Sequence, residues 1–262
     1  MRWPSSRAKK PSDDVSVGER MAAAYEAASR GDYTAALEMW TPLAHAGVSR
    51  AQANIGACFS EGLGVERDAK LAERWLSLAA EGGDAVGQRN LATLYFKGEG
   101  VEQDNARAAA LYRKAAEQGD AQAQDMLSWM LLEGDGITVD NVESRRWALA
   151  AAEQNVAAAM TRLGMIFHNA LGVERDATKA AVWWRRAAAR GDADGQAMLG
   201  AVYHLGAGVG RDPLTALMWL TRARAGGSPL AARFFNVVRS GLSPAEIAEA
   251  ERRAALPLEP AA

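Results

Sequence analysis

The chain has 262 residues, 49% of them hydrophobic, with 30 Lys and Arg set against 32 Asp and Glu. That length supports a sizeable buried core, and a net charge of −2 argues against a dedicated nucleic-acid or anionic-membrane binder. A single cysteine, Cys58, excludes an internal disulfide framework and a multi-cysteine zinc site, and no apolar run approaches the ~20 residues of a membrane span.

Residues 1–17 are polar, with Pro4, Pro11 and several serines, and read as a disordered tail. Arg2, Arg7, Lys9 and Lys10 make it either a basic docking arm or a plain solvated tail. No apolar segment follows Lys9 and Lys10, so a secretory signal is not expected. A cytoplasmic location is the expectation, or a periplasmic one if the true start lies elsewhere.

Residues 18–47 predict an N-terminal capping helix pair. A first helix over 21–29 and a second over 33–46 meet at Gly31-Asp32. From 48 to 227 the text repeats. Gly62-Leu63-Gly64-Val65-Glu66-Arg67-Asp68 and Gly98-Glu99-Gly100-Val101-Glu102-Gln103-Asp104 share the pattern Gly-x-Gly-Val-x-x-Asp. Looser copies begin at Gly134, Ala170 and Gly206, and the second glycines or their equivalents step by one period through 64, 100, 136, 172 and 208. A fixed period in this range means a stacked repeat protein.

Five repeats follow, 48–83, 84–119, 120–155, 156–191 and 192–227, each with two helices. In 84–119, Asp84 and Asp104 are placed to cap the two helices, and Gly98 to end the first. Leu91, Leu94 and Tyr95 recur at helical spacing as the packed stripe. Trp75, Leu111, Trp147, Trp183 and Trp219 share one phase, four residues before an alanine in each repeat. Large side chains against small ones let helices interlock, which makes these tryptophans core spacers. Residues 228–262 read as a degenerate repeat and a C-terminal capping helix, opened by Ser243-Pro244-Ala245-Glu246. The fold class is all-α, with about six helix pairs and that final helix.

The text Ala-x-x-x-Leu-Gly-x-x-Tyr, then Gly-x-Gly-Val-x-x-Asp, then Ala-x-x-Trp-x-x-x-Ala-Ala-x-x-Gly-Asp resembles the Sel-1-like repeat, a relative of the tetratricopeptide repeat. The resemblance covers residues 48–227 and implies a right-handed α/α superhelix, a solenoid that binds proteins or peptides. It implies a non-enzymatic adaptor or scaffold of the bacterial type, acting in signalling, envelope processes or quality control. A cysteine-rich branch of the family implies an alternative, a ligand binder or weak hydrolase acting on peptidoglycan or β-lactams. That branch pairs cysteines within each repeat, and this chain has Cys58 alone.

Enzyme chemistry is thin in the remaining text. His45 sits in the last turn of a helix, where a cation suits the dipole. His168 and His204 stand one period apart, on successive first helices ~8–10 Å from each other, too far for shared metal ligation. Cys58 shares its phase with Leu94, Met130, Ile166 and Val202 and reads as a small buried hydrophobe. The Gly-x-Gly loops follow helices and lack a Lys-Ser/Thr tail, so they read as turns rather than phosphate cradles. No cofactor and no metal are expected.

The candidate site comes from subtraction. In a tetratricopeptide-like stack the first helices line the concave face, and positions that packing leaves alone lie at fixed offsets from the core leucine. These offsets select Arg89, Thr93, Phe96 and Lys97, then Asp125, Trp129, Leu132 and Glu133, then Met165, His168 and Asn169, then His204. Trp129 breaks the tryptophan phase. It reads either as an anchor for a partner, with Phe96, Leu132 and Met165 beside it, or as packing against the next first helix. The expected partner is a protein or peptide held on this face. Weak self-association through the terminal helices is a further expectation.

Overall fold

The computed structural model describes residues 16–258. The order of elements is α1 (Val17–Ser29), α2 (Tyr33–His45), α3 (Ser49–Glu61), α4 (Ala69–Glu81), α5 (Ala85–Lys97), α6 (Asn105–Glu117) and α7 (Ala121–Glu133). Then come α8 (Asn141–Glu153), α9 (Ala157–His168), α10 (Ala177–Ala189), α11 (Ala193–Leu205), α12 (Pro213–Ala225), a 3-10 turn (Pro229–Ala231), α13 (Ala232–Ser240) and α14 (Pro244–Ala255). No strand occurs among the described residues. The chain divides into two compact units, Met1–Leu111 and Tyr112–Ala262, with the boundary inside α6.

In both units successive helices pair as antiparallel hairpins, and one loop design joins them. The aspartate that ends the loop ties it at both sides. The Asp68 carboxylate accepts the Leu71 N–H at 2.9 Å, and the Asp68 N–H donates back to the Phe59 carbonyl at 2.9 Å. Asp104, Asp140, Asp176 and Asp212 repeat both bonds. Each caps the second helix and occupies a carbonyl in the last turns of the first. Four of the loops open on a glycine with φ between 66° and 75°; the fifth opens on Ala170 at φ 57°. The loop's second glycine serves close approach. A Cβ on Gly208 would stand 2.2 Å from the Ala177 carbonyl oxygen.

A second device recurs between hairpins. The Gln52 amide donates to the Ala44 carbonyl at 3.0 Å, at the end of the preceding second helix. Gln88, Gln124 and Gln196 do the same toward Ala80, Ala116 and Ala188. A buried amide that answers an otherwise open helix-end carbonyl sets the register of one hairpin on the last.

The core departs from expectation in its tryptophans. The side chains sealed between layers are Leu76 in the first unit and Tyr112, Trp184 and Leu220 in the second, each 0–1% exposed. Trp40 joins them at 3%. The expected spacers lie one position earlier. Trp75, Trp183 and Trp219 are only half-buried, and Trp147 keeps 8% exposure. Their outer faces are covered by arginines: Arg146 stands 4.5 Å over Trp147, Arg186 4.4 Å over Trp183 and Arg222 5.7 Å over Trp219. One residue along a helix turns the side chain by ~100°, enough to move it from the layer interface to its edge.

At the front, the helix begins earlier than expected. Ser16 and Glu19 form a reciprocal capping box that starts α1 at Val17. The rest of the expected tail, residues 1–15, lies outside the described residues. At the far end, Ser243 and Glu246 form a second capping box, and α14 packs Ala250 beside Phe235 and Val238. No helix among the described residues is long and apolar enough to cross a membrane.

Candidate functional site

The first helices are α3 and α5 in the first unit and α7, α9 and α11 in the second. Their inner stripe is consumed by packing, as Ile55, Leu91, Leu127, Leu163 and Leu199 show at 0–5% exposure. What remains is the opposite face.

In the first unit, α3 and α5 frame a groove of about 160 Å³. Thr93 and Lys97 line it together with Ser60, Glu61, Asn90 and Glu99. The Thr93 hydroxyl also donates to the Arg89 carbonyl at 3.0 Å, which fixes its rotamer. The Arg89 guanidinium lies 3.4 Å from the Asn90 side-chain oxygen and is half-buried. Phe96 is half-buried, and its carbonyl accepts from the Gln103 amide at 2.9 Å. Lys97 is exposed.

In the second unit the expected face separates into two classes. Glu133 and Asn169 are exposed, and Trp129 is half-buried. Leu132 leans on the core around Met160 and Leu163, and Met165 on the core around Trp184 and Leu199. The His168 ring sits 5.5 Å from Trp184, and the His204 ring 6.2 Å from Phe234. Both histidines keep a buried Nδ1 without a hydrogen-bond partner.

Asp125 does not belong to the exposed face. It is 8% exposed, and its carboxylate is gripped by Arg162, also 8% exposed. Thr161 and Ala197, at the same offset in the second unit, are buried as well, whereas Arg89 is half-buried. Thr161 donates to the Asp192 carboxylate at 2.6 Å, the same carboxylate that caps α11. In the second unit the position two before the core leucine is therefore closed off by packing. Arg162 was missed in the sequence because its counterparts are Asn54, Asn90, Met126 and Met198. A lone charged residue in a phase of asparagines and methionines, one period and a residue after a lone aspartate, was the available signal.

Among the described residues no group of three or more His, Cys, Asp and Glu is placed to hold a metal. Cys58 is 2% exposed, and burial pushes its thiol up to about 11. It is a packing residue of the first core rather than a nucleophile.

Paired helices of 12 or 13 residues, one loop design and a glutamine latch in four of the five repeats define a helical-repeat solenoid of the tetratricopeptide-like class. The Sel1 repeat model matches residues 49–84, 85–120, 121–156, 157–192 and 193–228, and the chain belongs to that family. The matched repeats start one residue later than the repeats read from the loops. Among solved structures, a Sel1 repeat protein from Oxalobacter formigenes is 27% identical, with a TM-score of 0.80, covering 91% of this chain and 97% of its own. The protective antigen c5321 of uropathogenic Escherichia coli, which displays an SLR fold, is 24% identical, with a TM-score of 0.40, covering 90% of this chain and 67% of its own. No curated protein matched. Sel1 repeat proteins are in general protein-interaction scaffolds.

Proposed function

We propose that this chain is a non-enzymatic scaffold that holds a partner protein or peptide on the face of its first helices expected to be concave. One observation carries the reading. At three offsets beside the core stripe, side-chain chemistry changes from repeat to repeat. The first of them runs Ala57, Thr93, Trp129, Met165, Ala201, the second Ser60, Phe96, Leu132, His168, His204, and the third Glu61, Lys97, Glu133, Asn169, Leu205. The latch glutamine and the loop aspartate, by contrast, hardly change. A rigid scaffold with a varied surface suits recognition, because ordering costs are met before the partner arrives.

In this reading Arg89, Thr93, Phe96 and Lys97 contact the partner from the first unit. Trp129, Leu132, Glu133, Met165, His168, Asn169 and His204 do so from the second. Asp125 acts from beneath, by holding Arg162. The test is affinity capture from native lysate, comparing the intact chain with a Thr93→Arg, Lys97→Glu, Glu133→Arg, Asn169→Arg variant of equal helicity. All four changes sit outside the core. A captured protein that binds the intact chain directly, and the variant at least tenfold more weakly, supports the face. Equal binding to both forms sinks it.

A further inference from the structure

Charge is not shared evenly among the second helices. In the second unit α8 carries both signs, and its Glu143 holds Arg113 and Arg146 together. One period on, the position of Glu143 is Lys179, and neither α10 nor α12 contains an Asp or Glu. Residues 177–227 hold seven Lys and Arg against three Asp and no Glu. All three aspartates are engaged. The Asp192 carboxylate accepts the Gly195 N–H and the Thr161 hydroxyl, both at 2.6 Å. The Asp194 carboxylate accepts the Ser228 hydroxyl at 2.5 Å, and the Asp212 carboxylate the Thr215 N–H at 3.0 Å.

Cations without a counter-ion collect at the end of α10. Arg185, Arg186 and Arg190 make no ion pair among the described residues, yet each is held in place. Arg185 donates to the Tyr203 hydroxyl at 3.2 Å. Arg186 lies 4.4 Å over the Trp183 ring. Arg190 donates to the Asn155 side-chain oxygen at 2.6 Å and to the Arg186 carbonyl at 3.2 Å. These partners are a phenol, an indole, an amide and a carbonyl, so none of them neutralises the charge. Arg185 and Arg186 are exposed and Arg190 is half-buried. A cation in the last turn answers the helix dipole, an effect equivalent to about half a charge. Three guanidiniums exceed it.

A guanidinium offers five N–H donors, and neither a ring contact nor one or two hydrogen bonds use them up. The open donors suit carboxylates, which accept from the fork two bonds at a time. Arg186 and Arg190 stand four apart on one helix face, ~6 Å from each other. Alternate side chains of an extended peptide are ~7 Å apart. A peptide with acidic residues at alternate positions therefore matches the spacing. A nucleic-acid strand or an anionic bilayer calls for a longer basic track on a chain of positive net charge, and this chain carries −2. We propose that the C-terminal end of α10 is a docking site for an acidic segment of a partner protein, held by Arg185, Arg186 and Arg190. The site lies on a second helix and is independent of the first-helix face proposed above.

The test is fluorescence anisotropy of a labelled peptide of alternating Glu and Ser, titrated with the full chain at low and at physiological salt. Saturable binding that weakens with salt is expected. Arg185→Gln, Arg186→Gln, Arg190→Gln should weaken it about tenfold or more. Lys70→Gln, Arg74→Gln, Arg233→Gln removes the same charge from exposed positions elsewhere and should leave the affinity within about twofold. Arg185→Gln, Arg186→Gln is the second variant, should the triple one lose helicity, and it should still cost several-fold. An intact chain that shows no saturable binding, or equal losses in the α10 variant and the control, overturns the proposal. Tighter binding of oligouridylate or of phosphatidylserine vesicles, lost in the same α10 variant, assigns the cluster to a polyanion and overturns it too.

Discussion

Arg162 on α9 holds Asp125 on α7 twice, by its carboxylate and by its backbone carbonyl, the latter at 3.1 Å. The two helices are consecutive first helices of the second unit, and both side chains are close to fully buried. One guanidinium thus satisfies a buried acid and a buried carbonyl together. The pair ties one first helix to the next.

Breaking this pair from one side leaves a buried charge without its counter-ion. Asp125→Ala should lower unfolding free energy by about 3–5 kcal/mol. An Asp125→Leu, Arg162→Met double variant should recover most of that, because apolar replacement of both partners removes the desolvation cost. Urea unfolding of the three proteins checks it. Equal losses in the single and double variants would show that packing, not charge, is at stake.

Gly164 faces Trp184 with no room to spare. A Cβ there would stand 2.2 Å from the indole nitrogen, which donates to the Thr161 carbonyl at 3.1 Å. Alanine in place of a helical glycine ordinarily stabilises by about 0.5–1 kcal/mol. Gly164→Ala should instead destabilise by about 1–3 kcal/mol, since Trp184 must shift and release its bond. Gly18→Ala, in the first turn of α1 with only the Ser16 hydroxyl near at 3.8 Å, should show the ordinary sign. Thermal unfolding of both variants separates the two effects.

Ala170 occupies the loop position that glycine holds in the other four repeats, and it does so at φ 57°. A left-handed alanine costs roughly 1 kcal/mol. Ala170→Gly should therefore raise stability by about that amount, with the helical signal unchanged. A neutral or negative result would mean that the Ala170 methyl makes contacts worth its strain.

Glu143 is held below the usual carboxylate range, first by its hydrogen bonds from Arg113, and also by the Trp147 indole N–H at 3.2 Å. A depressed folded-state value means that the native form favours the carboxylate. The contribution to stability is then complete above the unfolded glutamate value of ~4.3 and is lost as pH falls through the lower native value. Glu143→Gln should be less stable than the parent by a pH-independent margin above about pH 5, and that margin should shrink as pH falls below about 4. A constant gap down to pH 3 would count against the linkage.

The period, the helix pairs, the caps and the loop turns were all legible in the text. Each is decided by residues a few positions apart, such as Asp104 and the Arg107 N–H it accepts, or Gly98 at the helix end. The arc of each first helix that stays exposed was not legible. Helical spacing names a core stripe, but how wide a neighbouring helix covers the flanks depends on how closely the two approach. That approach put Asp125 and Thr161 inside and left Glu133 and Asn169 outside. The same holds for Trp75 and Leu76, adjacent in sequence and turned to different surroundings. An apolar pocket in the first unit is a further case. Phe59, Leu37 and Leu71 look like ordinary core residues along the chain, and only the packing of α2 and α4 on α3 brings them to line one pocket. The sequence by itself determined the repeat and its architecture, because those rest on local hydrogen bonds. The tertiary structure decided which surfaces are free, because burial is a property of neighbours that the chain meets only after it has folded.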